Sequence, residues 1–275
     1  MAEAEPDFRT RYGPWALVVG AGAGLGAAYA AELAARGLDL VLVDRDPAGL
    51  DAVAAELAPA PATRLLNIDL ASEDAVPRIV DETADLDLGL LVANAASSYV
   101  GRFDGQPSSA IASQIQVNVR APTMLVHALL PRLSSRPRSG VVLMSSQSSR
   151  RGAPLVATYA GTKAYLAILA ESLWDELRDD GIDVLAVLPG STRTPGWLGS
   201  APQPGTGTGT VMEASDVVVE ALDVLGQGIP SLVSGTANRD AERFMDSLDR
   251  AEAVRTVGQV MREMYPPDRT IDPSV

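Results

Sequence analysis

Residues 16–26 read ALVVGAGAGLG, a short apolar run that breaks into alternating glycine and alanine. No other stretch of the chain restricts the fold as much. Ala16–Gly20 is too short for a stable helix and has the Val/Leu content of a buried strand. The alanine-rich stretch that follows, to about Arg36, favours a helix. Between them Gly20, Gly24 and Gly26 fall at the spacing G-x-x-x-G-x-G, with Gly22 as a further glycine. Glycines there permit positive φ and let the backbone approach a pyrophosphate, which the helix N-terminus then holds. A strand, a glycine turn and a helix in this order argue for an open parallel α/β sheet and against a closed eight-stranded barrel.

The rest of the chain repeats the alternation. LDLVLVD (Leu38–Asp44), TRLLNIDL, LGLLVANAA, GVVLMSS (Gly140–Ser146), IDVLAVLPG and IPSLVSG (Ile229–Gly235) read as six more strands. Near-continuous Val, Leu and Ile marks strands buried on both faces, as in a parallel sheet covered by helices. Asp46-Pro47 caps and opens one helix, Ser72 starts another that Pro77 makes irregular, and long helices are expected over about 108–133 and 156–178. Right-handed crossovers make this a doubly wound, Rossmann-like, mostly seven-stranded parallel sheet. Ser200–Ser215 is rich in Gly, Pro and Thr and reads as a mobile loop. Beyond the seventh strand, Val254, Val257, Val260, Met261 and Met264 recur at helical spacing. They predict an amphipathic C-terminal helix that packs on its own domain or on another subunit, with a lid as the lesser reading. The 275 residues suit one domain, with a core over about residues 12–235, a substrate loop over about 195–215 and a helical extension over about 238–265.

Composition removes whole classes of function. The formal net charge of -13 speaks against nucleic acid and anionic membrane surfaces as partners. There is no cysteine, hence no disulfide or thiolate site, and one histidine, His127, makes no metal cluster. His127 falls on the long helix away from the strand ends, where a partly buried or interface histidine is expected. The first residues lack the pattern of a secretory signal, and no apolar run approaches the roughly 20 residues of a membrane span. A cytoplasmic protein is the expectation.

Chemistry concentrates at the predicted carboxyl ends of the strands, the edge where open α/β sheets bind ligands. Asp44 ends the second strand, placed to accept from ribose hydroxyls and to repel a 2′-phosphate. That favours NAD over NADP, although Arg45 could stack on adenine or reach such a phosphate. Asp69 could accept from the adenine amine. Tyr159 and Lys163 are four apart on a helix and share a face. Lys163 is the one lysine of a chain that otherwise uses arginine for positive charge. Ser146 lies at the end of the fifth strand, and Asn118 sits mid-helix, where asparagine is a poor helix former.

These motifs, with NAA (Asn94–Ala96), YAGTK and PGSTRT (Pro189–Thr194), occur in an order that resembles the short-chain dehydrogenase/reductase family from about Tyr12 to Gly235. Within it the chain looks similar to the branch of 17β-hydroxysteroid dehydrogenases and 3-oxoacyl-CoA reductases. The resemblance implies an NAD(P)-dependent oxidoreductase acting on an apolar secondary alcohol or ketone, steroid-like or acyl-chain. It implies Tyr159 as acid/base, its pKa lowered by the Lys163 ammonium and by oxidised nicotinamide. Lys163 would also hold the nicotinamide ribose, Ser146 would donate to the reacting oxygen, and Asn118 would hold a water on the proton path. Cofactor contacts are implied at Gly20, Gly22, Ala23, Gly24, Leu25 and Gly26, at Asp44, Arg45, Asp69, Leu70 and Asn94, and at Pro189, Gly190, Thr192 and Thr194. Thr194 matches the residue that holds the nicotinamide carboxamide.

Three departures stand out. Val19, Ala93 and Ala96 replace polar or glycine residues of the family pattern, so apolar packing is expected in place of a polar brace between neighbouring strands. Trp197 and Leu198, with Leu155 and Val156, suggest an apolar pocket. Gln147 and Arg150–Arg151 could add polarity or recognise a charged tail, or form a solvated loop. An epimerase or dehydratase would need a larger C-terminal domain than this chain has room for. A dinucleotide-sensing regulator on the same fold is the non-enzyme alternative. Relatives commonly assemble through the two long helices, so a homodimer or homotetramer is expected.

Overall fold

The structure is a computed structural model that describes residues 7–57, 61–203, 206 and 209–266. A short α1 (Phe8–Tyr12), capped by the Asp7 carboxylate on Thr10 N, leads into β1 (Trp15–Val19). Then follow α2 (Gly24–Ala35), β2 (Asp39–Asp44), α3 (Pro47–Leu57), β3 (Thr63–Asn67), α4 (Ala75–Asp81) and β4 (Leu88–Ala93). A single π-helical turn, Gln116–Arg120, joins α5 (Ser108–Ile115) to α6 (Ala121–Leu133). β5 (Ser139–Met144), α7 (Ala157–Glu176) and β6 (Ile182–Leu188) complete the central repeats. The remainder is β7 (Thr192–Arg193), α8 (Pro195–Gly199), β8 (Met212–Glu213), α9 (Ala214–Val224), β9 (Ser231–Val233), α10 (Thr236–Ser247) and α11 (Arg250–Met264).

Seven strands form one parallel sheet in the order β3-β2-β1-β4-β5-β6-β9. In β1, Val18 pairs with Leu42 of β2 on one side and Val92 of β4 on the other. The chain reverses its direction of growth between β1 and β4, and the crevice this opens at the carboxyl ends is where such sheets take ligands. Alternate residues of each strand feed two separate apolar layers. Leu17, Val41, Leu91, Val141 and Val184 pack with α6 residues such as Leu125 and Leu129. Val18, Leu42, Val92, Val142 and Leu185 pack with Tyr29 and Leu33 of α2 and Val218 and Leu222 of α9. Both faces are covered, which is why the strands carry no polar alternation.

Several boundaries differ from the sequence reading. β3 stops at Asn67 and β4 at Ala93, because the chain then leaves the sheet to build the crevice. The predicted loop over Ser200–Ser215 contains β8, whose Met212 pairs with Thr192 of β7. Pro204, Gly205, Gly207 and Thr208 of that loop lie outside the described residues, as do Met1–Pro6, on which the leader reading rested. The C-terminal extension is two helices, broken at Leu248 and restarted by Asp249, whose carboxylate accepts from Glu252 N at 2.8 Å. His127 is exposed on α6, not partly buried. Among the described residues no helix is long and apolar enough to cross a membrane.

Candidate active site

The glycine turn after β1 is shaped by what it excludes. A Cβ on Gly26 would stand 1.8 Å from the Gly20 carbonyl oxygen, so no other residue fits without moving backbone. Gly20 has φ +80° and a Cβ there would lie 2.6 Å from Ala95 Cα. Ala23 precedes α2 and no side chain caps the helix, which leaves the first-turn N–H groups facing the crevice. Leu25 and Thr194 line that side, with Thr194 against Gly24. Asn94 Nδ2 donates to the Gly20 carbonyl at 2.8 Å. The apolar packing expected from Val19 and Ala93 is present, since the two pair and are buried in one cluster, and this polar bond stands beside it.

Asp44 turns inward before it meets any ligand. Its Oδ2 accepts from Gly22 N at 2.9 Å and its Oδ1 from Asp46 N at 3.0 Å. A Cβ on Gly22 would press on this carboxylate, 3.0 Å from Cγ. Its fixed negative charge thus belongs to the turn's architecture as well as to the crevice. Arg45 beside it is exposed. Asn67, not singled out from sequence, donates to the carbonyls of Asp44 and Arg45 at 3.1 and 3.0 Å and fixes the end of β2. Asp69 is exposed and accepts from Ala71 N at 2.9 Å, while Leu70 is buried and its carbonyl accepts from Gln116 Nε2 at 3.4 Å.

Ser146, Tyr159 and Lys163 come together where β5 ends and α7 passes. Lys163 is only 2% exposed, and its Nζ donates to the Met144 carbonyl at 2.7 Å. From there it lies 5.6 Å from the centre of the Tyr159 ring. Burial pulls the ammonium down to about 8. Tyr159 lines the cavity, and its desolvation pushes the phenol up to about 12, against the opposing effect of its hydrogen bond with Ser146. The lowered tyrosine expected from the neighbouring lysine is not found in the protein's own groups, because desolvation outweighs the hydrogen bond with Ser146 and Tyr265 adds to the rise. Ser146 Oγ also accepts from Ser148 N at 3.2 Å and Ser148 Oγ at 3.0 Å, a partner the sequence did not suggest.

Asn118 is fully buried inside the π-turn. Its Oδ1 accepts from Ser97 N at 2.7 Å, and its Nδ2 donates to Ser97 O at 2.8 Å and Thr162 Oγ1 at 3.0 Å. The amide side chain is therefore committed to holding the loop after β4 against α7, next to Lys163. Single π-turns occur often at functional sites, and this one explains an asparagine in mid-helix. On the other wall Pro189 and Thr192 are buried, Gly190 approaches Gln147, and Thr194 accepts from Trp197 N at 3.2 Å to cap α8. Thr192 spends its hydroxyl on the Gly190 carbonyl at 3.1 Å.

Ser146, Tyr159, Pro189, Gly190, Thr192 and Thr194 line one cavity of about 410 Å³, with Lys163 and Asn118 behind that lining. Ser146, Tyr159, Trp197 and Val156 border it, as do Val257, Val260, Met261 and Met264 of α11 and Met245 of α10. The amphipathic face read from sequence as packing is thus a wall of the cavity. Leu155 and Leu198 do not line it, and Leu198 is exposed. Arg151 is neither solvated nor free for a charged tail, since it is buried and paired with Glu242 and Asp246, and Arg150 pairs with Asp246. No group of three metal-ligating side chains occurs among the described residues.

The sequence pattern of the family described as short chain dehydrogenase matches residues 14–203. A 7beta-hydroxysteroid dehydrogenase from Clostridium sardiniense is 30% identical over 260 residues, 94% of this chain and 99% of its own length. A very-long-chain 3-oxoacyl-CoA reductase from Homo sapiens is 33% identical over 183 residues, 64% of this chain and 59% of its own. A structure solved for insights into 7beta-hydroxysteroid dehydrogenase stereoselectivity superposes with a TM-score of 0.84 at 25% identity, covering 92% of this chain and 99% of that one. A short-chain dehydrogenase from Sphingobium yanoikuyae in complex with NADPH superposes at 0.73 with 31% identity, covering 86% and 97%.

Proposed function

This chain belongs to the short-chain dehydrogenase/reductase family, and from that premise we propose that it interconverts a bulky apolar secondary alcohol and its ketone, with Tyr159 as acid/base. The observation that carries the reading is the buried Lys163 ammonium, fixed by the Met144 carbonyl beneath a cavity-facing Tyr159 that is hydrogen-bonded to Ser146. A nicotinamide dinucleotide fits the residues present: Gly20, Gly22, Gly24 and Gly26 let the turn fold tightly on itself where a Cβ would strike its own neighbours, and the uncapped α2 offers donors to a pyrophosphate. When bound, it supplies or accepts the hydride.

The chain's own groups do the rest. Ser146 donates to the substrate oxygen and sets its distance from Tyr159. In reduction Tyr159 gives its proton to that oxygen; in oxidation it takes the alcohol proton. Lys163 would hold the nicotinamide ribose hydroxyls, a compact role the arginine fork does not fit. Asn118 acts as a positioning residue, through Ser97 and Thr162. Thr194, at the N-terminus of α8 beside Gly24, is placed for a carboxamide.

Asp44 favours NAD, because a carboxylate fixed at that place repels a 2′-phosphate. The cavity favours a compact, steroid-like ketone over an acyl thioester. The wall supplied by α11 is aliphatic and thioether, and Arg151, the one lining cation among the described residues, is already paired with two carboxylates. A phosphate-bearing carrier finds no counter-charge there. The reading places the reaction in the cytoplasm, where nicotinamide dinucleotides are supplied. Nicotinamide absorbance, followed with NAD and NADP across hydroxysteroids, aliphatic secondary alcohols and 3-hydroxyacyl thioesters, tests it. Turnover of hydroxysteroids with NAD above the other combinations is expected. Dinucleotide binding without turnover on any class would make the protein a sensor instead.

An assembly belongs to the same reading. Met124 of α6 and Tyr165 and Ile168 of α7 are exposed, and Thr123 Oγ1 reaches Tyr165 Oη at 3.3 Å, so the two helices present one apolar face. Such a face is costly to leave in water. Light scattering is expected to give the mass of a dimer or tetramer; a monomer at micromolar concentration would contradict it.

A further inference from the structure

We propose that Arg151 is a positioning residue that locks the C-terminal pair α10–α11 to the turn carrying Ser146, so that the substrate wall and the serine hold station as one body. The proposal rests on the ketone-reductase reading of the cavity and adds to it a region that lies beyond the matched family pattern of residues 14–203.

The turn after Ser146 is weakly held by its own backbone. Gln147–Arg150 is one short 3₁₀ turn. β5 ends at Met144, Ser145 N and Gln147 N still donate to Val187 O and Pro189 O at 2.8 and 3.0 Å, and beyond them the turn's own backbone bond is Ser149 N to Ser146 O at 2.9 Å. Side chains add to this hold: Ser145 Oγ donates to Lys163 O at 2.7 Å and Ser148 Oγ to Ser146 Oγ at 3.0 Å, while Gln147, Arg150 and Arg151 all reach α10. On α10, Asn238, Glu242 and Asp246 follow at steps of four and form one stripe facing the turn. Gln147 Nε2 donates to Asn238 O at 3.3 Å and Glu242 Oε1 at 3.4 Å. Arg151 Nη1 donates to Glu242 Oε1 at 3.1 Å and its Nη2 to Asp246 Oδ1 at 2.8 Å. Arg150 adds a bond to Asp246 Oδ2 at 3.0 Å, and Arg250 of α11 donates to the Arg150 carbonyl at 2.9 Å.

The Arg151 side chain is only 5% exposed and that of Glu242 11%. A surface pair of this kind would contribute little, but a buried guanidinium forking between two carboxylates has few alternatives to its geometry. Lysine, a point charge, could not bridge both. The same two helices deliver Met245, Val257, Val260, Met261 and Met264 to the cavity. Asn238 extends the clamp to the loop before β8, since its Oδ1 accepts from Thr210 N at 2.9 Å. The serine and the wall opposite are thus tied through several side chains, of which Arg151, five residues after the serine in sequence, is the buried one that bridges two carboxylates.

The test compares Arg151→Gln, Arg151→Lys and the pair Arg151→Met with Glu242→Leu against the unaltered protein. It reads dinucleotide affinity, steady-state constants on one polycyclic ketone and one small cyclic ketone, and hydrogen exchange of residues 146–152 and 236–264. In Arg151→Gln, kcat is expected to fall about tenfold or more on both ketones, because the serine is loosened. KM should rise only for the polycyclic one, which needs the wall, and dinucleotide affinity should stay unchanged. Both segments should lose exchange protection together, and Arg151→Lys should recover only part. If α10–α11 loosen while residues 146–152 and the small-ketone kcat do not change, the clamp is merely structural and the proposal fails. Should Arg151→Gln not fold, the double variant removes the buried pair as a unit, which is often neutral for stability. Normal kinetics in that variant would equally overturn the proposal. If the unaltered protein reduces neither ketone, the function reading has failed, and the exchange data still decide the clamp.

Discussion

Tyr159→Phe is expected to lower turnover by about 10²–10⁴-fold while leaving dinucleotide affinity intact. Phenylalanine keeps the ring, and with it the wall of the cavity and the surface over which Lys163 Nζ sits at 5.6 Å. It deletes the hydroxyl assigned to exchange a proton with the substrate oxygen, and it leaves Ser146 without that partner. Burial pushes the phenol up to about 12, so at neutral pH the tyrosine stands protonated. It is ready to donate in ketone reduction and must be relieved of its proton for alcohol oxidation. Steady-state rates with matched dinucleotide titrations decide the matter. A variant that retained most of its turnover would move the acid/base role to another group, and the hydroxyls beside Tyr159 are those of Ser146 and Tyr265.

Lys163→Met is expected to separate activity from stability, in opposite directions. Loss of the ammonium removes the charge partner of Tyr159 and should cost about 10²-fold or more in turnover. The folded protein should nevertheless become harder to unfold at pH 7. Burial lowers the lysine from 10.5 to about 8, so the unfolded chain holds this proton more tightly than the folded one does. Between those values the unfolded state binds more protons and stability rises with pH, which makes the buried charge a cost fully present below pH 8. Replacing it by methionine should gain about 2 kcal/mol at neutral pH, after allowance for the lost bond to the Met144 carbonyl. The gain should shrink as pH climbs from 8 toward 10.5. Denaturant midpoints at pH 7 and pH 10 read this directly. A variant less stable than its parent at pH 7 would mean that the folded state welcomes the ammonium.

The parts of this protein that could be read from its sequence are those written in local patterns. The glycine turn, the seven strands and their parallel order follow from apolar runs and the residues that end them. The i, i+4 relation of Tyr159 and Lys163 survives because α7 is one unbroken helix. Where a partner is distant, sequence is silent. Arg151 pairs with residues 91 and 95 positions away, and nothing near it distinguishes a solvated arginine from a buried one. Asp44 was read for what it offers a ribose, but its carboxylate first serves the Gly22 amide across the turn. Other misses were avoidable. Asp249 with Glu252 three residues later is a helix-start signature in the middle of what was read as one helix. Asn118 drew notice as a poor helix former, but its neighbours gave no sign of a π-turn.

That π-turn has a consequence for the phase of the helix it interrupts. Each α-helical residue advances the chain by about 100°, so one extra residue per turn rotates everything downstream relative to what came before. Gln114 of α5 is fully buried, and Leu125, Val126 and Leu129 of α6 meet the sheet. The two halves are registered independently, each with its own inward face, and the surplus residue absorbs the mismatch. Deleting any one position from Gln116–Arg120 would restore a regular spiral and swing either the loop-bracing amide or the α6 leucines out of alignment. In that sense the helix carries a vernier, one residue wide, that lets one part be set by the loop after β4 and by α7 and the other by the core.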